Sequence, residues 1–587
     1  MPRPLVHLLV SALVLAPAAL SAQSQAKLYY PACAPFADDY VFDCYHDFAE
    51  VQQFVQDAAA ARPNLARLES MGKSYQGRDL WVLTITDFST GDAGDKPAIW
   101  VDGGVDSDEV IATEAALGLI HRLLTSSDPQ VASLLRDRTF YIAPNVIPDG
   151  SELHHHTPER PRDSTLRPWD DDGDGVSDED GVEDLDGDDE ALQMRVVDPN
   201  GSLVARTEDA RLMRARRPGD TGPFYRVYQE GIDNDLDGEY QEDRPGGIDP
   251  NRNYPGNWSI EQNGSGPFPG SEAELRAALD FALSHPNIAA SQHYHSSGGV
   301  VLRPPSVPDW RLPGGDEQLY MSVARRGLEV TGYNLSTTVY DWNWPRGSSN
   351  TKSGQVWRDR EGEVRGFPVA EDAYPAYGGS IDGLYSLFGV LAFANEIYQL
   401  GDDTDGDGRI SDVERMQAND ADMGGRAFKA WTSFDHPQLG PVEIGGWRKF
   451  GQNNPVDGRI QDEVDRNVRF ALLQAEMMPL LELKALELED LGDNVVRVTA
   501  TVSNAGYQPT ELQIRTEAGR AVPVRAHIEL VGLAELLSED DIVDLGVLAG
   551  HGEAEVSWLV RGDGAEVVVE AYHPKAGRAS DRARLGG

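Results

Sequence analysis

Gly378-Gly379-Ser380-Ile381-Asp382, followed fourteen positions after Asp382 by Glu396, is the stretch that decides the fold of this chain. The apolar residues 390–395 directly before Glu396 predict a buried strand with a lone carboxylate at its end. Burying a carboxylate costs free energy unless a charged group or a metal ion compensates it. Glu396 is therefore a candidate functional residue, and its partners must come from elsewhere in the chain.

Candidate partners lie upstream, at the ends of two other predicted elements. Asp106 and Glu109 are three residues apart where a strand gives way to a helix, and His295 ends an apolar strand. Together they offer three protein ligands and leave a fourth position open for water, as a catalytic zinc site requires. His293 shares the face of His295 on that strand; it is either a substitute ligand or a neighbouring pocket residue, and we favour the second interpretation.

This constellation, in this order, resembles the zinc carboxypeptidases of the carboxypeptidase A type. Asp106 stands where that family has the first His of a His-x-x-Glu motif, while Gly103-Gly104-Val105 and Asp108-Glu109-Val110 around it match the family. The segment 295–304 resembles the one that starts with the family's second His. The resemblance implies an α/β fold with a mixed sheet flanked by helices, and one catalytic Zn²⁺ on Asp106, Glu109 and His295.

The resemblance also assigns roles in catalysis and in carboxylate recognition. Asp249-Pro250-Asn251-Arg252 resembles the family's Asn-Arg element, so Asn251 and Arg252 are expected to hold the substrate's terminal carboxylate. A guanidinium suits that task because it binds a carboxylate through two parallel hydrogen bonds. Glu396 is expected to be the general base that activates water and then the proton donor to the leaving amine.

Three further positions complete the expected site. Tyr374 has the spacing of the family's mobile Tyr, with Tyr377 as the alternative, and Arg195 is the candidate for polarising the scissile carbonyl. Ile381 occupies the place that tunes the pocket for the substrate's last side chain. An apolar residue there predicts a preference for apolar or aromatic C-terminal residues.

The Asp at position 106 has a chemical consequence. Asp is a competent zinc ligand, but two carboxylates cancel the formal charge of the ion, which weakens its Lewis acidity and leaves bound water harder to ionise. Taken alone, each element has an ordinary explanation: Asp106 as a helix cap, Arg252 as an ion-pair partner, Glu396 as a satisfied carboxylate. Taken together and in family order, they favour a metallocarboxypeptidase over a non-catalytic binding protein that keeps the same pocket.

Residues 403–414 fit the twelve-position calcium loop of an EF-hand. The expected ligands are Asp403, Asp405, Asp407, Arg409 through its backbone carbonyl, and Glu414. The Asp-rich stretches 170–175, 184–188 and 233–238 are less complete loops of the same kind, with a solvated acidic surface as the alternative. We expect one or more structural Ca²⁺ ions that neutralise and stiffen these loops.

The N-terminal region predicts export. Arg3, the apolar residues 5–15 and the small residues up to Ala22 predict a signal peptide over residues 1–22. The only cysteines, Cys33 and Cys44, lie in an N-terminal loop over 23–44 and are expected to form a disulfide in an oxidising compartment. We therefore expect a secreted, periplasmic or extracellular protein.

Two domains follow in the predicted organisation. Residues 45–480 form the carboxypeptidase-like domain, interrupted by acidic insertions at about 169–247 and 401–415. Residues 481–587 change to short alternating runs separated by Gly, Asn and Pro, which predict an all-β sandwich. The run His154-His155-His156 is interpreted as a solvated polar loop.

The charge of the chain excludes some partners. Asp and Glu (97) outnumber Lys and Arg (51), and the resulting net charge of −46 argues against nucleic acid and anionic membranes. No later segment is long and apolar enough to span a membrane. Expected partners are peptides or proteins with a free C-terminus. A calcium-dependent surface or adhesion protein is a third hypothesis, and the oligomeric state is left open.

Overall fold

The computed structural model of the chain describes residues 30–158, 164–170, 173, 175–178, 180–241, 244–308, 310–340, 357–358, 364–365, 375–405, 410–456 and 458–586. The predicted signal peptide lies outside these ranges.

The helices of the described chain are mostly amphipathic and pack by one face. They are α1 Phe48–Ala61, α2 Val110–Thr125, α3 Pro129–Asp137, α4 Pro148–His156, α5 Ala273–Ser284, α6 Gly314–Thr331, α7 Ser380–Phe388, α8 Asp412–Asp422, α9 Arg459–Met477 and α10 Gln513–Glu517. Helix α1 begins with a capping box. The side chain of Asp47 accepts from the backbone N–H of Glu50, and the side chain of Glu50 accepts from the backbone N–H of Asp47.

A mixed sheet forms the centre of the larger domain. In the described residues its strands are β1 Ala66–Lys73, β2 Asp79–Ile85, β3 Ala98–Asp102, β4 Thr139–Ala143, β9 Ile288–Ser296, β10 Val300–Arg303, β11 Leu335–Thr338 and β14 Leu391–Ile397, in the order β1-β2-β4-β3-β9-β14-β10-β11. Strands β4, β3, β9 and β14 run parallel to one another. The pairs β1–β2, β2–β4 and β10–β14 are antiparallel, whereas β10 and β11 are parallel.

Helices cover both faces of this sheet because its central strands are apolar on both sides. In β3, Ile99 and Val101 face a core shared with α1, α2 and α9, whereas Ala98 and Trp100 face a core shared with α5 and α7. Alternate residues of a strand point to opposite faces, so such a strand must lie inside the protein. The predicted sheet flanked by helices is confirmed.

The acidic insertion contains a second sheet. Its strands are β5 Gln193–Val197, β6 Leu203–Ala205, β7 Met213–Ala215 and β8 Tyr225–Gln229, which join β15 Phe428–His436 and β16 Gly440–Trp447 in the order β15-β16-β5-β8-β6-β7. A short hairpin, β12 Trp357–Arg358 with β13 Val364–Arg365, lies apart from it. The predicted insertion thus forms a sheet of its own, joined at β5 to the later strand β16.

The C-terminal residues form two packed sheets, as predicted. The strands are β17 Leu481–Asp490, β18 Val495–Asn504, β19 Val524–Val531, β20 Ala534–Leu536, β21 Ile542–Gly546, β22 Glu553–Gly562, β23 Glu566–His573 and β24 Gly577–Arg584, in the orders β17-β18-β22-β20 and β21-β19-β23-β24. Residues from both sheets, Trp558 among them, share one apolar core. We call residues 481–586 the C-terminal sandwich.

Two local predictions have clear outcomes. The disulfide between Cys33 and Cys44 is confirmed, with their Cα atoms 5.8 Å apart. The interpretation of residues 154–156 as a solvated loop is wrong, because they form the last turn of α4, and His154 and His155 are buried. Within the described ranges, the helices are too short or too polar to cross a membrane.

Candidate functional site

The candidate site lies at the carboxyl ends of three neighbouring strands. Strands β3, β9 and β14 are adjacent in the sheet, and their parallel register places Glu396 directly beside His295. Residues 103–109 leave the end of β3 at the same edge and lead into α2. Parallel strands bring their carboxyl ends together, which is why ligands of α/β proteins bind there.

Asp106, Glu109 and His295 form a compact buried cluster at this edge. Nδ1 of His295 lies 2.7 Å from Oδ2 of Asp106 and 3.0 Å from Oε2 of Glu109. One ligand atom from each residue lies within 4.8 Å of the other two. All three residues are less than 10% exposed. The geometry brings together the three residues that the sequence analysis selected as ligands.

The charges within the cluster are strongly interdependent. Burial and the negative charges of Asp106 and Glu396 raise the pKa of Glu109 well above its ordinary value. Burial also opposes ionisation of Asp106 and His295, but their mutual attraction outweighs it, lowering the pKa of Asp106 and raising that of His295 well above its ordinary value. Buried carboxylates this close together need compensating positive charge, which a protonated His295 or a bound metal ion supplies.

The cluster fits a zinc ion. At the usual zinc–ligand distances the edge of a tetrahedral site is about 3.3 Å, so the atoms around Nδ1 of His295 need to separate by only a few tenths of an ångström. Among the described residues, Oδ1 of Asp106 is buried without a hydrogen-bond partner. A buried oxygen without a donor is costly, and a metal ion is one way to satisfy it.

Arg252 brings positive charge to the same place. The segment Pro250–Arg252 is a short 3₁₀ turn that begins at Asp249, whose side chain accepts from the backbone N–H of Asn251. Nη1 of Arg252 lies 3.5 Å from Oδ2 of Asp249, and its charge favours the ionised forms of Asp106 and Glu396. Arg252 therefore lies within electrostatic reach of both carboxylates.

Residues 378–382 hold this turn in place. Gly378 accepts a hydrogen bond from the backbone N–H of Tyr254, and its own φ of +73° favours glycine. A Cβ at Gly378 would lie 2.1 Å from the carbonyl oxygen of Arg252. The backbone N–H of Ser380 donates to Oδ1 of Asn251. The glycines are thus needed so that the start of α7 can approach the Arg252 turn.

Ile381 and Asp382 lie in the first turn of α7. Ile381 is 3% exposed and belongs to the apolar core that contains Tyr254 and Leu384. The buried Asp382 accepts from the backbone N–H of Ser306, and burial raises its pKa to about 6. These contacts fix the orientation of the helix whose N-terminus faces Asn251.

Glu396 has the properties of a general base. The residue is partly accessible from solvent, but its carboxyl group is surrounded by protein. Burial raises its pKa to about 7 and the charge of Asp106 adds to this rise, while His295 and Arg252 oppose it. A carboxyl with a pKa near neutrality can both accept and return a proton at physiological pH.

His293 is not part of the cluster. Its Nδ1 lies 2.8 Å from Asp102, its Nε2 lies 3.1 Å from the hydroxyl of Ser291, and the indole N–H of Trp100 donates to the same Asp102. All four side chains are buried. The structure favours His293 as a supporting residue beneath the site over a substitute ligand.

Arg195 is not brought to this site, which corrects the expected role. It lies on β5 of the second sheet, where its Nε donates to Glu443, and its guanidinium lies 4.5 Å from the ring of Trp431 and 4.9 Å from that of Tyr225. The expectation relied on spacing through an insertion whose fold the sequence did not reveal. A guanidinium held in that sheet is not available to a scissile carbonyl at the edge of the main sheet.

Other expected residues fall partly outside the described chain. Tyr374, Asp407 and Arg409 lie outside it. Helix α8, which begins just after Ser411, lies entirely within the described residues. Asp403 and Asp405 lie in the loop before α8. Glu414 accepts hydrogen bonds from Thr404 and Ser411, and these hold its pKa at about 2 although burial opposes them.

Two residues were missed in the sequence analysis. Asp249 was quoted only as part of a motif, yet burial raises its pKa to about 7 next to Arg252. Asn454 is buried, donates to the carbonyl of Asp108 and accepts from the backbone N–H of Ile111, so it supports the ligand loop. Asn454 is more than 300 residues away from that loop, and no local pattern marks it.

Comparisons with known proteins agree on the larger domain. A family model described as zinc carboxypeptidase matches residues 51–404, and a model described as a domain of unknown function matches residues 480–584. Carboxypeptidase A2 of Rattus norvegicus is 24% identical over 366 residues, which are 61% of this chain and 63% of that protein. The chain thus matches just under two thirds of the length of that relative.

One shorter match and one solved structure are also similar to this chain. The zinc carboxypeptidase of Saccharothrix mutabilis subsp. capreolus is 34% identical over 110 residues, 18% of this chain and 25% of that protein. The crystal structure of thrombin activatable fibrinolysis inhibitor has a TM-score of 0.40 and 16% identity, covering 74% of each chain.

Proposed function

Because this chain belongs to the zinc carboxypeptidase family, we propose that it is a zinc-dependent carboxypeptidase that hydrolyses the last peptide bond of peptides or proteins with a free C-terminus. The observation that carries the proposal is the register of β9 and β14, which places Glu396 beside His295 in the cluster with Asp106 and Glu109. Arg252 within electrostatic reach of that cluster supports recognition of a carboxylate.

The proposed roles follow from chemistry and position. Asp106, Glu109 and His295 hold the zinc ion, which when bound supplies a Lewis acid that polarises a carbonyl and lowers the pKa of water. Arg252, with Asn251 beside it, binds the terminal carboxylate of the substrate. Glu396 accepts the proton of the attacking water and delivers it to the leaving amine, so that the amine departs neutral.

The proposed specificity is for apolar or aromatic C-terminal residues. Ile381 supports it, because this side chain is part of an apolar cluster with Tyr254 and Leu384. Tyr374 is proposed as a substrate-binding residue from its spacing alone, since it has the spacing of the family's mobile Tyr.

The organisation and location of the protein are proposed along the same lines. Residues 1–22 would be a signal peptide, 23–44 the disulfide-containing loop, 45–480 the catalytic domain and 481–587 the sandwich domain. The disulfide supports an exported protein, because such bonds persist in oxidising compartments.

A pair of peptides tests the proposed activity. The two share one sequence ending in Phe, and one carries a free carboxylate while the other is amidated. We expect release of Phe from the first only, followed by mass spectrometry, because Arg252 needs a carboxylate to bind. Equal cleavage of both peptides, or cleavage at internal bonds, would overturn the assignment as a carboxypeptidase.

Exchanging Asp106 for His should move the acidic limb of the pH–rate profile to lower pH. The charge of Asp106 raises the pKa of Glu396, so removing that charge lets the base ionise at lower pH. The change also makes the metal a stronger Lewis acid. We expect a shift on the order of one pH unit, measured as kcat/KM against pH.

Asp106→Asn is the matched control for this shift, because it removes the charge while keeping the size of the side chain. Both variants must contain stoichiometric metal before their profiles are compared. Metal-loaded variants with the profile of the wild type would show that Asp106 does not set the reactivity of the site.

The second candidate is a binding protein that recognises C-terminal carboxylates without turnover. Asp106 favours it, because two carboxylate ligands neutralise the ion on which hydrolysis depends. A wild-type protein that binds metal and peptide but releases no product, together with an Asp106→His variant that does, would establish this alternative.

Structural calcium is proposed for the loop 403–414. Adding EGTA should lower the melting temperature, because a ligand at one hundred times its Kd stabilises the folded state by about 2.7 kcal/mol. Asp405→Ala should remove part of this effect, and the exposed Asp540→Ala should not. A melting temperature that is independent of calcium would leave the acidic loops as solvated surface.

A further inference from the structure

A cavity lies between the larger domain and the C-terminal sandwich. Its volume is about 140 Å³, and its walls come from α5, α7, the start of β9 and, on the other side, α10 and residues 574–575. It is separate from the zinc cluster, since none of the three ligands lines it. Neither the family match nor the proposed reaction gives this cavity a role.

Most of the wall is apolar and partly aromatic. Trp100, Tyr254, Leu384 and Phe388 line it on the side of the larger domain. A buried apolar cavity of about 150 Å³ binds benzene, so this volume suits one six-membered ring. The site therefore matches a small flat molecule better than a peptide.

The polar part of the wall carries an excess of positive charge. Glu511, Arg515 and Lys575 line the cavity, and two cations against one carboxylate leave a net charge of +1. Within the part of the chain that the structure describes, no other acidic residue contributes to its lining. This is unusual in a chain of net charge −46, and it favours an anion.

The two cations differ in their capacity to bind a ligand. Nζ of Lys575 has three acceptors already, the carbonyls of Phe388 and Gly389 and a carboxylate oxygen of Glu511. Arg515 donates to the carbonyl of Leu387, while its Nε, 3.8 Å from Glu511, has no acceptor within the described chain. A guanidinium offers five N–H groups, so Arg515 has donors to spare.

We propose that this cavity binds small aromatic carboxylates of about the size of benzoate. The ring lies between Trp100, Leu384 and Phe388, and the carboxylate pairs with Arg515. Such a molecule contacts both the larger domain and the C-terminal sandwich. It therefore binds only when the two are docked, and its binding stabilises the docked state.

The walls connect the cavity to elements of the zinc site. Tyr254 follows the Arg252 turn by two residues, and Leu384 lies one helical turn after Ile381 in α7. Docking at the far end of α7 is tight: a Cβ at Gly389, whose φ is +62°, would lie 2.3 Å from Cγ of Arg515. A ligand in the cavity therefore contacts two elements, the Arg252 turn's continuation at Tyr254 and helix α7, that carry candidate substrate-binding residues.

Calorimetric titration of the full-length protein with benzoate tests the proposal, with benzyl alcohol as the uncharged ligand of matched size. We expect saturable benzoate binding with a Kd on the order of 1 mM, which is typical of a ligand of so few atoms. Benzyl alcohol should bind at least about tenfold more weakly, because it lacks the charge that pairs with Arg515. The proposed active site also recognises aromatic carboxylates through Arg252, so the assignment to this cavity depends on the difference between the wild type and the cavity variants.

Two pairs of variants locate the ligand. Ala278→Leu fills the cavity from α5 and should abolish benzoate binding, whereas Ala59→Leu on the far helix α1 should not. Arg515→Lys keeps a positive charge but loses the paired N–H donors of the guanidinium, so it should weaken binding less than Arg515→Leu, which should reduce it about tenfold. Absence of saturable binding to the wild type, or wild-type affinity in a folded Ala278→Leu or Arg515→Leu variant, would overturn the proposal.

Discussion

Replacing Glu396 with glutamine should reduce kcat at least about a hundredfold while leaving one zinc ion per chain. Loss of a general base costs about 10²–10⁴-fold, and an amide of the same size cannot accept the proton of the attacking water. Zinc content should not change, because Glu396 lies beside the ligand cluster and is not one of its three members. The measurement is turnover of an unblocked peptide together with metal analysis of the same sample.

The exposed Glu539→Gln variant controls for the chemistry of the substitution itself. It should have wild-type kcat and KM. Undiminished turnover in Glu396→Gln would show that another residue transfers the proton, and loss of zinc would place Glu396 among the ligands.

Replacing His295 with alanine should abolish stoichiometric zinc binding and, with it, hydrolysis. His295 is the only nitrogen donor among the three candidate ligands, and the carboxylates of Asp106 and Glu109 both converge on its Nδ1. Loss of residues that merely orient ligands already weakens metal affinity about 10–100-fold, so loss of a ligand should exceed about a hundredfold. A competition titration against a chelator of known affinity measures this change.

His527→Ala is the matched control, because this histidine lies in the C-terminal sandwich and is partly exposed. Circular dichroism must show that His295→Ala is folded, since the variant leaves two buried carboxylates without their partner. Stoichiometric zinc that persists in the folded variant would refute the proposed ligand set.

The strands that build the site could be predicted because their sequences are unambiguous. The apolar runs before Asp106, His295 and Glu396 predicted buried strands, and the structure contains them as β3, β9 and β14. Burial on both faces makes such runs continuous, so they differ clearly from loops and from amphipathic helices. Parallel register then brings residues at the strand ends together, as with Glu396 and His295.

The second sheet could not be predicted in the same way. Strands β5 and β16 pair over some 250 residues of sequence, with Arg195 opposite Glu443. They are short and only partly buried, so they show little apolar periodicity. Arg195 was misassigned for this reason: its partner could be recognised only in three dimensions.

Buried polar residues were the other source of error. His154 and His155 are polar by composition but are buried in α4, and Asp249 resembled an ordinary turn residue until its surroundings were known. Burial of a polar side chain depends on distant partners that no local pattern encodes. The ligand residues escaped this problem only because a family motif marked them.

The most direct test of the account is the position of the metal. Crystals of the zinc-loaded wild-type protein, with anomalous data collected on both sides of the zinc absorption edge, locate it independently of activity. We expect one strong peak in contact with Asp106, Glu109 and Nδ1 of His295, at about 2.0–2.2 Å from each ligand atom. A peak bound by His293 in place of Asp106, or no zinc at this cluster in a protein that hydrolyses peptides, would contradict it.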